Sequence, residues 1–407
     1  MEYGLLGEKL GHSFSPRIHK ALKGYDYDLL PTAPDKVEAL LRERAFRGIN
    51  VTIPYKQTVI PLCDHIAPRA LAIGAVNTVV NRDGELFGDN TDIDGLLYLA
   101  RRAGVEIAGK KVLILGSGGT SRTARFAAEE LGAREIVVIS RRGEHTYENL
   151  FRHVDAQIIV NTTPVGMYPN CGVSAVALAD FPALEGVLDV VYNPLRTELI
   201  RQAEERGLPC SSGLPMLVAQ AARACELFTG DTVDDGEVER VLAELHGELE
   251  NVVLVGMPGC GKSRVGALLA ELLGRELVDL DTEIEKKAGM DIPRIFSLRG
   301  EEGFRRIETE VVRETGARTG LVISTGGGVV TRPENRAPLR QNGRVVHLLR
   351  PLHLLAKEGR PLSLTTPAQE MWEKRAPLYA AFADVAVDNV GTPEETAKKI
   401  VKELKMR

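Results

Sequence analysis

Cysteine is scarce and unpaired: the 407 residues hold five, Cys63, Cys171, Cys210, Cys225 and Cys260, an odd number with no C-x-x-C spacing. That excludes a disulfide framework and a zinc knuckle, and fits a reducing compartment. Each fits a small buried apolar group, with Cys260 set apart because it lies inside a glycine-rich loop. Aromatic residues make up 5% of the chain and the net charge is −5. There is no basic stripe for a phosphate backbone and few platforms for base stacking, so nucleic acid is not an expected partner. No apolar run approaches the roughly 18 residues needed to span a bilayer, and Met1-Glu2-Tyr3-Gly4-Leu5 has no basic region leading into an apolar core. The expectation is a cytoplasmic protein with no membrane partner. Internal repeats and low-complexity tracts are also lacking.

The chain has length for two to three domains, and its 44% apolar content lets each bury a core. The strongest local signal is Gly256-Met257-Pro258-Gly259-Cys260-Gly261-Lys262-Ser263, which follows the apolar run Asn251 to Val255 and precedes a helical run from Arg264 to Leu273. Strand, glycine loop and helix form a phosphate-gripping device whose backbone N–H groups face an anion. Lys262 is placed for the β and γ phosphates of ATP, and the Ser263 hydroxyl for Mg²⁺.

A second glycine turn, Gly116-Ser117-Gly118-Gly119-Thr120-Ser121-Arg122, follows the strand-like Lys111 to Leu115 and opens a helix through Leu131. This is the start of a dinucleotide-binding unit, with Ser121 where the third glycine usually stands. After the next strand, Glu135 to Ile139, the chain has Ser140-Arg141-Arg142 in place of an acidic residue. Two guanidinium groups there favour a 2′-phosphate, hence NADP over NAD. Gln157 to Val160 and Gly186 to Val191 read as further core strands of this unit, and Lys36 to Arg47 as a helix of a preceding α/β lobe. The amphipathic Leu214 to Phe228 reads as a return to that first lobe. Glu237 to Leu249 reads as a charged helix.

The motifs His12-Ser13-Phe14-Ser15-Pro16, Asn50-Val51-Thr52-Ile53-Pro54-Tyr55-Lys56, Gly74-Ala75-Val76-Asn77-Thr78 and Gly88-Asp89-Asn90-Thr91-Asp92, in that order ahead of a dinucleotide unit, resemble shikimate dehydrogenase over roughly residues 1 to 246. The resemblance implies Lys56 with Asp92 as the catalytic pair, an ammonium held by a carboxylate being suited to protonate a ketone opposite an arriving hydride. It places Ser13, Ser15 and Thr52 on the substrate carboxylate and hydroxyls, with Asn77, Tyr192 and Gln220 completing the cage. Asn161-Thr162-Thr163-Pro164-Val165-Gly166-Met167 matches the loop against the nicotinamide, with Thr162, Gly166, Met167 and Gly213 on the cofactor. Lys20, and Ser140 beside the two arginines, depart from the family pattern.

Downstream of the phosphate loop, Asp279-Leu280-Asp281, Gly300-Glu301-Glu302-Gly303-Phe304-Arg305-Arg306-Ile307-Glu308, Thr325-Gly326-Gly327-Gly328, Arg360-Pro361-Leu362 and Arg375-Ala376-Pro377-Leu378-Tyr379 resemble shikimate kinase from about residue 251 to the end. The resemblance implies that Ser263 and Asp279 support Mg²⁺ and that Asp281 takes the acceptor hydroxyl. Arg305 and Arg375 would grip the substrate carboxylate, with Glu308 orienting Arg305, and Gly326, Gly327 and Gly328 would approach the ring. Gly256, Gly259, Cys260, Gly261, Lys262, Ser263 and Arg264 would hold ATP, and Arg360 would be the lid arginine. The stretch from Leu349 to Arg360, which also carries Lys357, is shorter than the lid of that family.

The expected architecture is α/β throughout: a substrate lobe over 1–100 completed by helices in 214–246, a Rossmann NADP-binding lobe over 101–213, a short linker at 247–250, and a P-loop kinase domain with a parallel sheet over 251–407. The expected function is bifunctional, with NADPH reducing 3-dehydroshikimate to shikimate and ATP phosphorylating shikimate. The alternative is an active dehydrogenase whose kinase-like domain only binds nucleotide or shikimate and regulates its neighbour. A homo-oligomer stays open.

Overall fold

The structure is a computed structural model that describes residues 2–11, 13–355 and 367–406. It divides into two compact units. The first comprises Met1–Met167, Val173–Tyr192 and Thr197–Glu244; the second comprises Tyr168–Gly172, Asn193–Arg196 and Leu245–Arg407.

The first unit contains two sheets. Strands β1 (Tyr3–Gly7), β2 (Asp28–Pro31), β3 (Gly48–Val51), β4 (His65–Ile66), β5 (Thr78–Arg82) and β6 (Glu85–Asp89) form a mixed sheet in the order β2-β1-β3-β5-β6-β4. The hairpin of β5 and β6 is closed by Asp83 and Gly84, whose φ values of 53° and 91° match the right-handed twist of the two strands. Strands β7 (Lys111–Leu115), β8 (Glu135–Ile139), β9 (Ile158–Asn161), β10 (Gly186–Asp189) and β11 (Cys210–Ser211) form the second sheet, parallel throughout, in the order β11-β10-β9-β7-β8. Strands β7, β9 and β10 are buried along their whole length, which is why residues 112–115, 158–160 and 187–188 within them are apolar without alternation.

Helices Asp92–Ala103 and Leu214–Thr229 pack closely, because Gly95 removes the side chain whose Cβ would lie 2.6 Å from the Met216 carbonyl oxygen. The helix expected over 36–47 is a 3₁₀ turn, Pro34–Lys36, followed by the helix Val37–Glu43. It stops early because Arg44 turns to φ 51°, where the Asn81 amide captures its carbonyl at 2.8 Å. The helix Asp235–Leu249 takes in most of the stretch read as a linker, with Glu250 alone before the next strand.

In the second unit, β12 (Asn251–Val255), β13 (Glu276–Asp279), β14 (Leu321–Ser324), β15 (Gly343–Leu349) and β16 (Val385–Asp388) form a parallel sheet in the order β13-β14-β12-β15-β16. The central strand β12 is fully buried and leads into the phosphate loop and the helix Lys262–Leu273. The long helical stretch Ile292–Gly316 is broken at Gly300, where φ is 65°, and the turn restarts so that Arg305 and Glu308 share one face.

Candidate active sites

In the first sheet, β3 and β6 end near one point, and the segments that follow carry Lys56 and Asp92. Lys56 Nζ donates to Asp92 Oδ2 at 2.5 Å, with side chains about one-fifth and one-eighth exposed (22% and 13%). Asn77 Nδ2 donates to Asp92 Oδ1 at 2.9 Å, and its Oδ1 accepts from the Thr91 backbone N–H at 2.7 Å, so the orientation of this amide is settled by a donor that cannot turn. Thr91 Oγ1 links onward to Gln220 Oε1 at 3.4 Å. The predicted pair and two cage residues therefore meet in one network.

Ser13 Oγ accepts the Ser15 N–H at 3.2 Å at the start of the helix Ser15–Lys23. Tyr192 meets the Phe14 ring edge-on at 5.9 Å, and burial pushes its hydroxyl above the ordinary phenol range. The Thr52 N–H donates to the Leu6 carbonyl at 2.9 Å, which ties its motif to β1.

Behind this network lie residues that sequence reasoning did not single out. Tyr27 donates to Asn50 Oδ1 at 2.7 Å, Asn50 Nδ2 to Thr78 Oγ1 at 3.0 Å, and Thr78 Oγ1 to Asn77 Oδ1 at 3.0 Å. Asn50, Thr78 and Thr91 sat inside the quoted motifs, and that was the available signal; Tyr27 carried none.

At the carboxyl end of β7, Gly116 has φ 106°, and a Cβ there would come within 2.9 Å of Thr162 Oγ1, so glycine is required. Gly118 and Gly119 have open space where a Cβ would point, which leaves room for a diphosphate at the start of the helix Gly119–Glu130. Ser117 and Thr120 flank these glycines, and Ser121 is buried beneath the turn. Arg141 and Arg142 are exposed past β8, while the Ser140 hydroxyl turns back to donate to the Arg142 carbonyl. These residues fit a phosphorylated dinucleotide.

Thr162 Oγ1 donates to the Leu115 carbonyl at 2.7 Å, which joins the 161–167 loop to the glycine turn. Gly166 turns at φ 85°, Met167 is exposed, and the Gly213 N–H donates to the Val191 carbonyl at 2.9 Å. Under this loop lies Asp189, fully buried. It accepts from Asn161 Nδ2 (2.9 Å), Thr197 Oγ1 (2.7 Å) and the Val191 N–H (3.0 Å). Burial outweighs these three donors and pushes its carboxyl up to about 6.

In the second unit, one cavity of about 660 Å³ is lined by Lys262, Ser263, Arg264, Asp281, Arg305, Glu308, Gly326 to Gly328 and Arg375. Gly256, Gly259 and Gly261 adopt φ values of 149°, 85° and 100°, which give the loop its concave shape. Lys262 is buried, with Nζ on the loop carbonyls of Gly256 (2.9 Å) and Met257 (3.1 Å). Ser263 Oγ donates to Asp279 Oδ2 at 2.9 Å, a hydroxyl–carboxylate pair suited to a cation that keeps most of its waters.

Arg305 Nη1 donates to Glu308 Oε2 at 2.7 Å, and the two side chains are only 5% and 1% exposed. Burial pushes the Glu308 carboxyl up, against the pull of Arg305. Arg305 Nε and Glu308 Oε1 are buried without a protein partner, so the pair has hydrogen-bonding capacity to spare for a polar ligand. The glycine triplet leaves room for the side chains of Asp281 and Arg305 in their present positions. A Cβ on Gly326 would come within 2.9 Å of Asp281 Oδ1, and one on Gly328 within 2.2 Å of the Arg305 guanidinium. Arg375 Nη1 and the Tyr379 hydroxyl both donate to the Gly327 carbonyl, at 3.1 and 2.5 Å. Arg360 and Lys357 lie outside the described residues. The same cavity also takes in Phe296, Arg350 and Asn389, which carried no motif.

The chain matches known families. Residues 5–79 fit the model for the shikimate dehydrogenase substrate binding domain, 213–243 the shikimate 5'-dehydrogenase C-terminal domain, and 258–405 shikimate kinase. The NADP(+) shikimate dehydrogenase of Clostridium perfringens strain SM101 is 38% identical over 264 residues, covering 60% of this chain and 97% of that one. Among solved structures, shikimate 5-dehydrogenase of Thermus thermophilus, in complex with NADP(H) and shikimate, aligns with TM-score 0.55 and 34% identity over 60% of this chain and 99% of its own. A chorismate mutase/shikimate 5-dehydrogenase fusion protein from Clostridium acetobutylicum aligns with TM-score 0.57 and 33% identity over 60% and 96%. The chain belongs to the shikimate dehydrogenase family and carries a shikimate kinase domain behind it. Among the described residues, no helix is long and apolar enough to cross a membrane.

Proposed function

We propose that the two sites catalyse consecutive steps: reduction of 3-dehydroshikimate to shikimate with NADPH, then phosphorylation of the shikimate 3-hydroxyl with ATP. Residues 1–100 with the helices in 214–246 serve as the substrate lobe, 101–213 as the NADP lobe, and the chain from 251 as the kinase.

In the first step NADPH supplies the hydride to the ring ketone. Lys56 donates its proton to the carbonyl oxygen as negative charge develops there, and recovers one from solvent after the alcohol leaves. Asp92 keeps the ammonium charged and aimed, and Asn77 holds Asp92 in turn. Ser13, Ser15, Thr52, Tyr192 and Gln220 supply the fixed donors and acceptors that recognise a polyhydroxylated acid, since an unpaired buried polar group costs about 1–3 kcal/mol. Arg141 and Arg142 meet the 2′-phosphate. Thr162, Gly166, Met167 and Gly213 border the nicotinamide, and Gly116 to Thr120 the diphosphate.

In the second step MgATP supplies the phosphoryl group. Lys262 and the loop amides would neutralise phosphate charge, the Ser263 hydroxyl would ligate Mg²⁺, and Asp279 would support the ion through its water shell. Asp281 accepts the proton of the attacking hydroxyl, and Arg305 and Arg375 clamp the carboxylate. The observation that carries this reading is that Lys262, Ser263, Asp281, Arg305 and Arg375 line one cavity, phosphate machinery and carboxylate machinery together. A purely regulatory module has no use for both.

The test is ADP release by the purified chain with shikimate and MgATP. Turnover supports the reading. No turnover alongside intact NADPH oxidation overturns it in favour of a regulatory domain.

A further inference from the structure

Asn389 follows directly on β16 and is 1% exposed. Its polar groups are engaged on both ends of the side chain and of the peptide. Its Nδ2 donates to the Cys260 carbonyl oxygen at 2.6 Å, and its Oδ1 accepts from Thr396 Oγ1 at 2.8 Å. Its backbone N–H donates to the Leu349 carbonyl at 2.7 Å, and its own carbonyl accepts from Arg350 Nη1 at 3.3 Å. A backbone carbonyl can only accept, so the Cys260 oxygen decides which way the amide faces, and the Thr396 hydroxyl completes the arrangement from the other side.

The Cys260–Gly261 peptide lies inside the phosphate loop. In a trans peptide the C=O and the following N–H point to opposite sides. A donor that draws the Cys260 carbonyl to one side therefore turns the Gly261 N–H to the other. Gly261 sits at φ 100°, and a Cβ on it would lie 2.8 Å from Asn389 Nδ2, so the glycine lets the clamp approach. Gly261 and Asn389 both line the cavity.

We propose that Asn389 is a positioning residue for the nucleotide: from the carboxyl end of the edge strand it pins the Cys260 carbonyl and so presets the loop amides for the anionic phosphates of a nucleoside di- or triphosphate. Thr396 holds Asn389 in the working orientation. The inference rests on the reading of this cavity as a nucleotide site, and it does not depend on whether that site turns over.

The test uses the full chain and three measurements: MgADP affinity by calorimetric titration, shikimate affinity of the second unit by the fluorescence of Trp372, the one tryptophan of the chain, and NADPH oxidation as a control on the first unit. Asn389→Leu keeps the side chain's size and removes the clamp; MgADP affinity falls about tenfold, with shikimate affinity and NADPH oxidation within about twofold of the parent. Thr396→Val weakens MgADP about threefold, and the double variant is no weaker than Asn389→Leu alone, as a shared pathway requires. Unchanged MgADP affinity in Thr396→Val and Asn389→Leu overturns the proposal, as does an equal loss of MgADP and shikimate. Failure of the parent chain to bind MgADP sinks the nucleotide reading itself, which is a different result. If Asn389→Leu does not fold, Thr396→Val decides alone.

Discussion

Replacing Asp189 with asparagine tests the cost of burying that carboxylate. The group is 0% exposed and has three hydrogen-bond donors but no cation, and burial moves its carboxyl from an ordinary 3.8 to about 6. At about 1.4 kcal/mol per pH unit this displacement corresponds to about 3 kcal/mol. The sign follows from proton counting. Between about pH 4 and pH 6 the folded first unit holds a proton that the unfolded chain has released, so unfolding is favoured as pH rises through that window. The contribution is fully present below about pH 4 and gone above about pH 6 to 7.

For a unit of this size the loss lowers the melting temperature by roughly 6–12 °C across the window. Asp189→Asn has no such titration. It carries a constant cost from placing an NH₂ among donors, so the readout is the pH dependence of the difference between parent and variant. Scanning calorimetry from pH 4 to 8 measures it, following the transition that added NADP⁺ shifts upward. A parent-minus-variant difference that stays flat across pH 4 to 7 refutes the reasoning.

Lys262→Ala abolishes phosphorylation and leaves NADPH oxidation within about twofold, and Lys56→Ala does the reverse; coupled assays on the two variants check this, and a joint loss in either refutes separable sites. Arg305→Lys keeps the charge but loses the fork that Glu308 holds, so steady-state kinetics should show KM for shikimate in the kinase reaction rising about 10- to 100-fold with KM for ATP unchanged. Arg141→Ala raises KM for NADPH about tenfold or more and moves KM for NADH far less; equal rises with both nucleotides would remove Arg141 from the 2′-phosphate.

Much of the candidate chemistry was legible in the amino-acid order because it sits in contiguous segments. A strand, a glycine loop and a helix start are set by local backbone preference, so Gly256 to Ser263 and Gly116 to Thr120 could be read directly. The ends of several elements were not. The helix from Val37 stops at Glu43 because Asn81, far along the chain, takes the Arg44 carbonyl. Burial alone made Asp189 unusual, and burial is a property of the packed sheet.

The sequence by itself determined two phosphate-gripping turns, an α/β architecture and the order of the motifs, since each depends on φ preference and apolar patterning within a short window. Tertiary structure alone decided which polar groups meet. Gln220 reaches Thr91, Arg375 reaches Gly327 and Asn389 reaches Cys260 across 129, 48 and 129 residues respectively. Such meetings depend on strand order and on how closely helices can approach. Those are set by the packing of the whole core, and no short stretch of residues contains that information.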